Sequence, residues 1–236
     1  MATQQPPLQH IAFIPDGNRR WAKANGLSIA QAYKRGYDQL RTVAEACFER
    51  GIPYFSAFVF SAENWQRASD EVSLLMKLAL NVILKDAKEL HKRNVRLRIV
   101  GSREKLSDKL KAAIVEAEEL TAGNTAGTFL ACFNYGGQQE IVDAVAAIIK
   151  KGIAAAEITT ETITQHLYCP EVPAPDLIVR TSGEKRLSNF LLWQSAYSEF
   201  AFVDEFWPEF DATRLDAVLA DYQNRGRRYG KWAGYR

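Results

Sequence analysis

The chain has 236 residues, 47% of them hydrophobic, and its 30 basic and 28 acidic residues leave a formal net charge of +2. A chain of this size can bury one large core, so we expect a single domain over residues 1–236, with residues 1–8 as a flexible N-terminal segment. The near-neutral charge argues against a general nucleic-acid binder, and the three cysteines lack the spacing of a zinc site or a disulfide framework. No apolar run reaches the roughly 18 residues of a membrane span and no secretion signal opens the chain, so we expect a cytoplasmic protein.

Short β-rich runs alternate with amphipathic segments along the chain. The predicted strands are His10–Ile14, Pro53–Phe60, Val95–Val100, Thr128–Asn134 and Asp176–Arg180. Such alternation predicts an α/β domain with a mainly parallel sheet surrounded by helices.

Two long segments have helical periodicity. Between Ser28 and Arg50 the apolar residues recur at helical spacing, and Ser28 is a suitable N-cap. Between Asp70 and Asn94 two apolar stripes run along the predicted helix, which must then be buried on two sides. Packing between the sheet and another helix would satisfy both stripes, and so would a place in the wall of a hydrocarbon tunnel.

Polar side chains follow four of the predicted strands, at residues 16–21, 61–67, 134–137 and 180–188. The carboxyl ends of parallel strands meet at one edge of a sheet, so these segments should converge. Convergence would bring the carboxylates and amide of Asp16, Glu63 and Asn64 close to five guanidinium groups, those of Arg19, Arg20, Arg67, Arg180 and Arg186. Forked donors beside a carboxylate suggest bound phosphate groups, with Asp16 available for magnesium.

The usual nucleotide and hydrolase motifs are missing from the sequence. There is no G-x-x-x-x-G-K-[ST] loop, no G-x-G-x-x-G turn and no G-x-S-x-G elbow. A diphosphate outside a nucleotide is therefore the favoured ligand.

Residues 10–22, HIAFIPDGNRRWA, resemble the opening motif of the cis-prenyltransferases, the undecaprenyl diphosphate synthase family. Residues 60–67, 134–137 and 175–190 resemble the later motifs of that family, in the same order. The resemblance extends over roughly residues 9–231.

The resemblance implies an undecaprenyl diphosphate synthase-like fold and a Mg²⁺-dependent transferase that condenses isopentenyl diphosphate with an allylic diphosphate such as farnesyl or geranyl diphosphate. It also implies a homodimer, with transient membrane contact when product is released. Asp16 would hold magnesium and act in catalysis, Asn64 would orient the group that accepts a proton, and Glu199 would be a second magnesium-associated acid. The substrate-binding residues would be Gly17, Asn18, Arg19, Arg20 and Trp21 for the allylic diphosphate, Ser61, Glu63, Trp65 and Arg67 between the substrates, and Arg180, Arg186, Leu187 and Ser188 for isopentenyl diphosphate.

The chain departs from the long-chain pattern of that family at several positions. Arg19 stands where many bacterial members have glycine, and Ile29 and Tyr33 replace an arginine and a histidine. We expect Arg19, Lys34 or Arg35 to restore the lost positive charge. Val59 stands in place of a smaller alanine, which predicts a narrower tunnel and a product shorter than C55.

Other interpretations are a head-to-middle synthase that makes branched products, a non-catalytic accessory subunit, and a phosphate-binding regulatory module. The retained Asp16 motif and the isopentenyl-site residues argue against the first two. The basic tail, with Arg228-Tyr229-Gly230, resembles an arm that reaches across the dimer in some members, although a solvated tail would carry the same charges.

Overall fold

The computed structural model describes residues 7–225. Within that range six strands form one sheet in the order β3-β4-β2-β1-β5-β6, with all neighbours parallel. The strands are β1 (His10–Ile14), β2 (Tyr54–Ser61), β3 (Val95–Val100), β4 (Gly127–Tyr135), β5 (Leu177–Arg180) and β6 (Glu199–Phe202). The predicted parallel α/β fold is confirmed.

Helices connect the strands and cover both faces of the sheet. They are α1 (Asn18–Ala24), α2 (Ile29–Glu49), α3 (Ser69–Lys92), α4 (Asp108–Thr121), α5 (Gly137–Lys150), α6 (Thr160–Thr164) and α7 (Ala212–Asn224). Ser28 caps α2 as predicted, since its Oγ accepts a hydrogen bond from the N–H of Gln31 at 3.2 Å. Of the helices between residues 7 and 225, none is both long and apolar enough to cross a membrane.

Strand β6 was not among the predicted strands. It pairs with β5 from Leu177↔Glu199 to Arg180↔Phe202 and forms one edge of the sheet. Four residues are too few for a period of two to be distinguished from chance. The strand is recognised only from its backbone pairing.

The alternation of side chains along the strands divides the core in two. Ile11 and Phe13 of β1 lie on the face covered by α2, α3, α4 and α7, whereas Ala12 and Ile14 lie on the other face, with Phe190. The first face carries most of the buried hydrophobic residues. The polar residues that follow the strands lie at the carboxyl edge between these layers.

Helix α3 is not buried on both sides along its length. Ile83 and Ala87 in its second half are buried, but Leu75, Leu78 and Val82 are only partly buried and line a cavity. One apolar stripe of α3 is therefore buried against the rest of the protein, whereas the other faces the cavity. This observation favours the tunnel-wall interpretation of the second stripe.

Candidate active site

A turn after β1 presents the Asp16 carboxylate at the carboxyl edge of the sheet. Gly17 has φ 99°, and a Cβ there would lie 2.7 Å from Phe206 Cδ1 and 2.9 Å from Ser182 Cβ. The N–H of Gly17 donates to Asp16 Oδ1 at 2.7 Å, and the backbone of Asp16 exchanges two hydrogen bonds with the Thr181 hydroxyl. The glycine therefore allows the turn to approach the neighbouring segments closely.

Arg180, the last residue of β5, is a buried cation with several partners. Its side chain is 4% exposed, and its Nη2 donates to Asp16 Oδ2 at 2.8 Å. Its Nη1 donates to Ser188 Oγ at 2.8 Å and to the carbonyl oxygen of Arg186. The buried charge is thus neutralised and shared between two segments of the site.

The loop that follows β5 has an unusual backbone. Ser182, Ser188, Asn189 and Leu191 have φ values of 79°, 50°, 67° and 43°, in the left-handed region that residues other than glycine seldom adopt. Such conformations cluster at ligand-binding sites, where the surrounding structure imposes them. Here they place Ser188 beside Arg180.

Helix α1 places Arg20 beside the same loop. Its guanidinium donates to the Ser182 hydroxyl, pairs with Glu184 at 3.0 Å and lies 5.9 Å from the centre of the Phe206 ring. Trp21, by contrast, donates its Nε1–H to Glu209 at 3.1 Å. Arg20 is directed toward the loop that follows β5, and Trp21 is not.

The segment after β2 is held by contacts between different motifs. Asn64 Oδ1 accepts the N–H of Ser61 at 3.2 Å. Trp65 donates its Nε1–H to Asn134 Oδ1 at 2.7 Å, and Glu63 accepts from Asn189 Nδ2 at 2.8 Å. Glu63 and Trp65 therefore join three of the four motif segments to one another.

Tyr33 joins a cluster of charges at the start of α3. Its hydroxyl donates to Glu71 Oε1 at 2.5 Å and accepts from Arg67 Nη1 at 2.9 Å. Arg67 also pairs with Glu71 at 3.0 Å, and Arg19 lies 3.8 Å from the same carboxylate. Burial and the hydrogen bond to Glu71 raise the pKa of Tyr33 to about 12, so the phenol stays protonated.

Several of these groups line one end of a cavity of about 410 Å³ that extends between the sheet, α2 and α3. The polar end is formed by Asp16, Asn18, Ser61, Asn64, Arg67, Arg180, Arg186 and Ser188. The far end is formed by apolar side chains that include Leu40, Leu75, Leu78, Ala79 and Val82. Such a cavity suits a ligand with an anionic head and a hydrocarbon tail.

Eight of the predicted site residues lie on the cavity wall and the others do not. Gly17, Arg19, Arg20, Trp21, Glu63, Trp65, Leu187 and Glu199 are not among its lining residues. Glu199 begins β6, at the amino ends of the strands, roughly 10 Å along the sheet from its carboxyl edge. Its carboxylate pairs with Arg225 at 3.2 Å, so the described chain does not bring it to Asp16.

The three residues expected to replace the lost positive charge lie at different distances from the cavity. Arg19 lies at the Glu71 cluster beside the cavity. Lys34 pairs with Asp38 on the solvent side of α2, and Arg35 is exposed. Only Arg19 is therefore placed to act at this end of the cavity.

A model of the family described as "Putative undecaprenyl diphosphate synthase" matches residues 14–230. An isoprenyl transferase of Neisseria gonorrhoeae is 47% identical over 94% of this chain and 89% of its own. The chain belongs to the undecaprenyl diphosphate synthase family. The predicted family and the enzyme class, an isoprenyl transferase, are confirmed.

Solved structures of the family agree with the fold. A lavandulyl diphosphate synthase from Lavandula x intermedia, in complex with dimethylallyl diphosphate, superposes with a TM-score of 0.90 at 32% identity and covers 95% of this chain and 98% of its own. A probable undecaprenyl diphosphate synthase from Campylobacter jejuni gives a TM-score of 0.82 at 32% identity, covering 96% and 100%. The synthase-like fold class is confirmed.

The residues of the site could hold a magnesium ion only if a bound diphosphate supplied further oxygen ligands. Among residues 7–225, no three His, Cys, Asp or Glu side chains form a cluster that could hold a metal. The Asp16 carboxylate is 30% exposed, and it has lone pairs beyond those that accept from Gly17 and Arg180. Mg²⁺ is commonly held by one or two carboxylates plus substrate phosphates, so the donor set is compatible with it.

Two features of the site were not predicted from the sequence. Glu71 neutralises Arg67 and Arg19 beside the cavity. Asn18 Oδ1 is buried, with no hydrogen-bond partner within the part of the chain that the structure describes. Arg67 precedes α3 by two residues and lies four positions before Glu71, the spacing of a helical ion pair, which was the available signal for the first feature.

Proposed function

We propose that this protein is a cis-prenyltransferase that condenses isopentenyl diphosphate with an allylic diphosphate such as farnesyl or geranyl diphosphate. The observation that carries the proposal is one continuous cavity that is lined by arginines at the Asp16–Arg180 end and is apolar toward Val82. The hydrocarbon tail of a short allylic diphosphate would occupy the near part of the apolar region, and the tail of a longer product would fill it.

The reaction breaks the bond between C1 of the allylic chain and its diphosphate, which leaves with the electron pair. The terminal alkene carbon of isopentenyl diphosphate then bonds to C1, and loss of a proton from C2 forms the new cis double bond. Donors fixed around the departing diphosphate lower the barrier because its negative charge grows as it leaves. Asn18, Arg19 and Arg20 are proposed for that role.

Arg180, Arg186 and Ser188 are proposed to bind the diphosphate of isopentenyl diphosphate. Arg180 is held by Asp16 and Ser188, so its guanidinium would not need to reorganise during the reaction. Arg186, which is exposed, is free to close over the ligand once its pairing with Glu184 is exchanged.

Asn64 is proposed to orient the proton acceptor, since a carboxamide is a poor base. Its Oδ1 is bound to the Ser61 N–H, and its side chain lines the cavity. The acceptor would then be an oxygen of the diphosphate that it holds.

Asp16 and diphosphate oxygens would hold Mg²⁺, which supplies positive charge that offsets the charge on the leaving diphosphate. Glu199 as a second magnesium-associated acid, a homodimer and transient membrane contact remain proposals from the family resemblance. Arg228-Tyr229-Gly230, proposed as the arm that crosses the dimer, lies outside the described residues.

We propose a product shorter than C55, because the Val59 side chain on the cavity wall makes the cavity narrower than an alanine would. Val59 is 42% exposed and lines the cavity. We expect Val59→Ala to lengthen the product by at least one C5 unit in the same assay. A C55 product from the unaltered protein would contradict the proposal.

The deciding experiment incubates the protein with Mg²⁺, labelled isopentenyl diphosphate and, separately, dimethylallyl, geranyl and farnesyl diphosphate. Products in regular C5 steps are expected. Asp16→Ala should reduce turnover at least 100-fold, on the scale of a lost electrostatic group, while Asp108→Ala, at a fully exposed acid, should not.

Dimethylallyl diphosphate alone tests the head-to-middle alternative, which the similarity to a lavandulyl diphosphate synthase favours. A coupled product without isopentenyl diphosphate would support that alternative. No product in either arm, from folded protein, would support an accessory subunit or a binding module.

A further inference from the structure

A second cavity of about 240 Å³ lies beyond the apolar end of the first, also between α2 and α3. Its apolar lining includes Ala44 and Phe48 of α2, Leu90 of α3 and Phe129 of β4. The two cavities thus continue along the same groove.

A polar cluster lies between them, formed by Tyr37 and Arg41 of α2 and Asp86 of α3. Tyr37 lines the first cavity, whereas Arg41 and Asp86 line the second. The Tyr37 hydroxyl donates to Asp86 Oδ1, and Arg41 Nε lies 3.7 Å from the same oxygen. The cluster joins the two helices across the groove.

The position of Asp86 is unusual for a carboxylate. Asp86 is only 7% exposed and lies on α3 beside the buried residues Ile83 and Ala87. Burial raises the pKa of its carboxyl group. A buried carboxylate without partners is unfavourable, so the hydrogen bond from Tyr37 and the nearby Arg41 are needed to hold it there. A hydrocarbon tail that displaced Tyr37 and Arg41 would leave Asp86 buried without a partner. The cluster therefore resists displacement by such a tail.

We propose that Tyr37, Asp86 and Arg41 form the floor of the product cavity and end chain elongation when the tail of the product reaches them. The inference rests on the proposed prenyltransferase function and assigns a second determinant of product length, in addition to Val59, to these residues. The second cavity is the space that a longer chain enters once the floor is removed.

The double variant Tyr37→Ala/Asp86→Ala tests the floor. In the assay with labelled isopentenyl diphosphate, its main product should be longer than that of the unaltered protein by at least one C5 unit. Products should still form in regular C5 steps, because the diphosphate-binding end is unchanged. Lys85→Ala, at an exposed neighbour of Asp86, is the matched control and should leave product length unchanged.

Filling the second cavity with a larger side chain provides an independent check of where the longer product lies. Ala126 is exposed on the wall of that cavity, so Ala126→Phe fills it without altering the first. Added to the double variant, it should restore a product close to the original length. If the double variant does not fold, the Tyr37→Ala single variant replaces it in both measurements.

The outcomes separate the floor from the proposed function. No incorporation by the unaltered protein overturns the function and the floor together. Incorporation with the same product length in folded floor variants overturns the floor alone. A longer product that Ala126→Phe does not shorten also overturns it, since the extra length would then lie elsewhere.

Discussion

Asp16 Oδ2 and Arg180 Nη2 lie 2.8 Å apart, although 164 positions separate the two residues in the chain. Asp16 lies two residues after the end of β1, and Arg180 ends the adjacent strand β5, where it is in register with Ile14. Because the other amino group of the same guanidinium binds Ser188, the residue proposed to act on the allylic diphosphate is connected directly to those proposed to bind isopentenyl diphosphate.

Arg180→Lys should reduce kcat/KM for isopentenyl diphosphate at least tenfold, equivalent to about 1.4 kcal/mol. A single ammonium group cannot hold Asp16 and Ser188 in the geometry of a guanidinium fork. Steady-state kinetics with varied isopentenyl diphosphate measures the effect. Arg214→Lys is the control, because Arg214 is 56% exposed and pairs with Glu205 away from the cavity. Equal kinetics in the two variants would contradict the role of the fork.

Gly17→Ala should destabilise the protein by about 2–4 kcal/mol, which combines a left-handed alanine with steric overlap against Phe206 and Ser182. Gly26→Ala is the matched control. Gly26 has φ +65° but no atom within 4 Å of an added Cβ, so about 1 kcal/mol is expected from the backbone alone. Urea unfolding of both variants gives the comparison. A loss no greater at Gly17 than at Gly26 would show that the close approach is unimportant.

Glu71→Gln should lower the KM for the allylic diphosphate a few-fold with little change in kcat. The carboxylate neutralises Arg67 and Arg19 beside the cavity, so its removal leaves more positive charge for the diphosphate. The effect should weaken as salt is added, because the charges of Arg19 and Arg67 are partly exposed and therefore screened. Glu116→Gln, at an exposed acid of α4, is the control. A higher KM would show that Glu71 positions the arginines instead.

His10 should make the protein less stable as the pH falls from about 6.5 to about 4. Its pKa is lowered from 6.5 to about 4 because the ring is buried, with Ser56 Oγ 2.7 Å from Nε2 and the Pro173 carbonyl 2.6 Å from Nδ1. In this window the unfolded chain binds a proton that the folded chain does not, so stability present above pH 6.5 is lost on acidification. The loss amounts to about 3 kcal/mol.

The free energy of urea unfolding, measured across that range, tests the effect of His10. The difference between the unaltered protein and His10→Gln isolates it from the carboxylates that titrate nearby. A difference that does not change with pH would contradict a neutral, buried His10.

The sequence determined five of the six described strands, the parallel α/β domain and the family. Runs such as His10–Ile14 are short, apolar and followed by polar residues, and the parallel arrangement then brings Asp16, Asn64 and Arg180 to one edge of the sheet. These features depend on local periodicity and on the order of motifs, which a linear sequence contains.

Only the tertiary structure decided which side chains reach the cavity. Trp21 binds Glu209, Glu199 lies at the other end of its strand, and Tyr37 meets Asp86 across two helices. Each outcome depends on the rotation and spacing of elements that are distant in the chain, and hydrophobic patterning sets only which face of an element is buried. A carboxylate at an apparently polar helix position can therefore be the buried floor of an apolar groove.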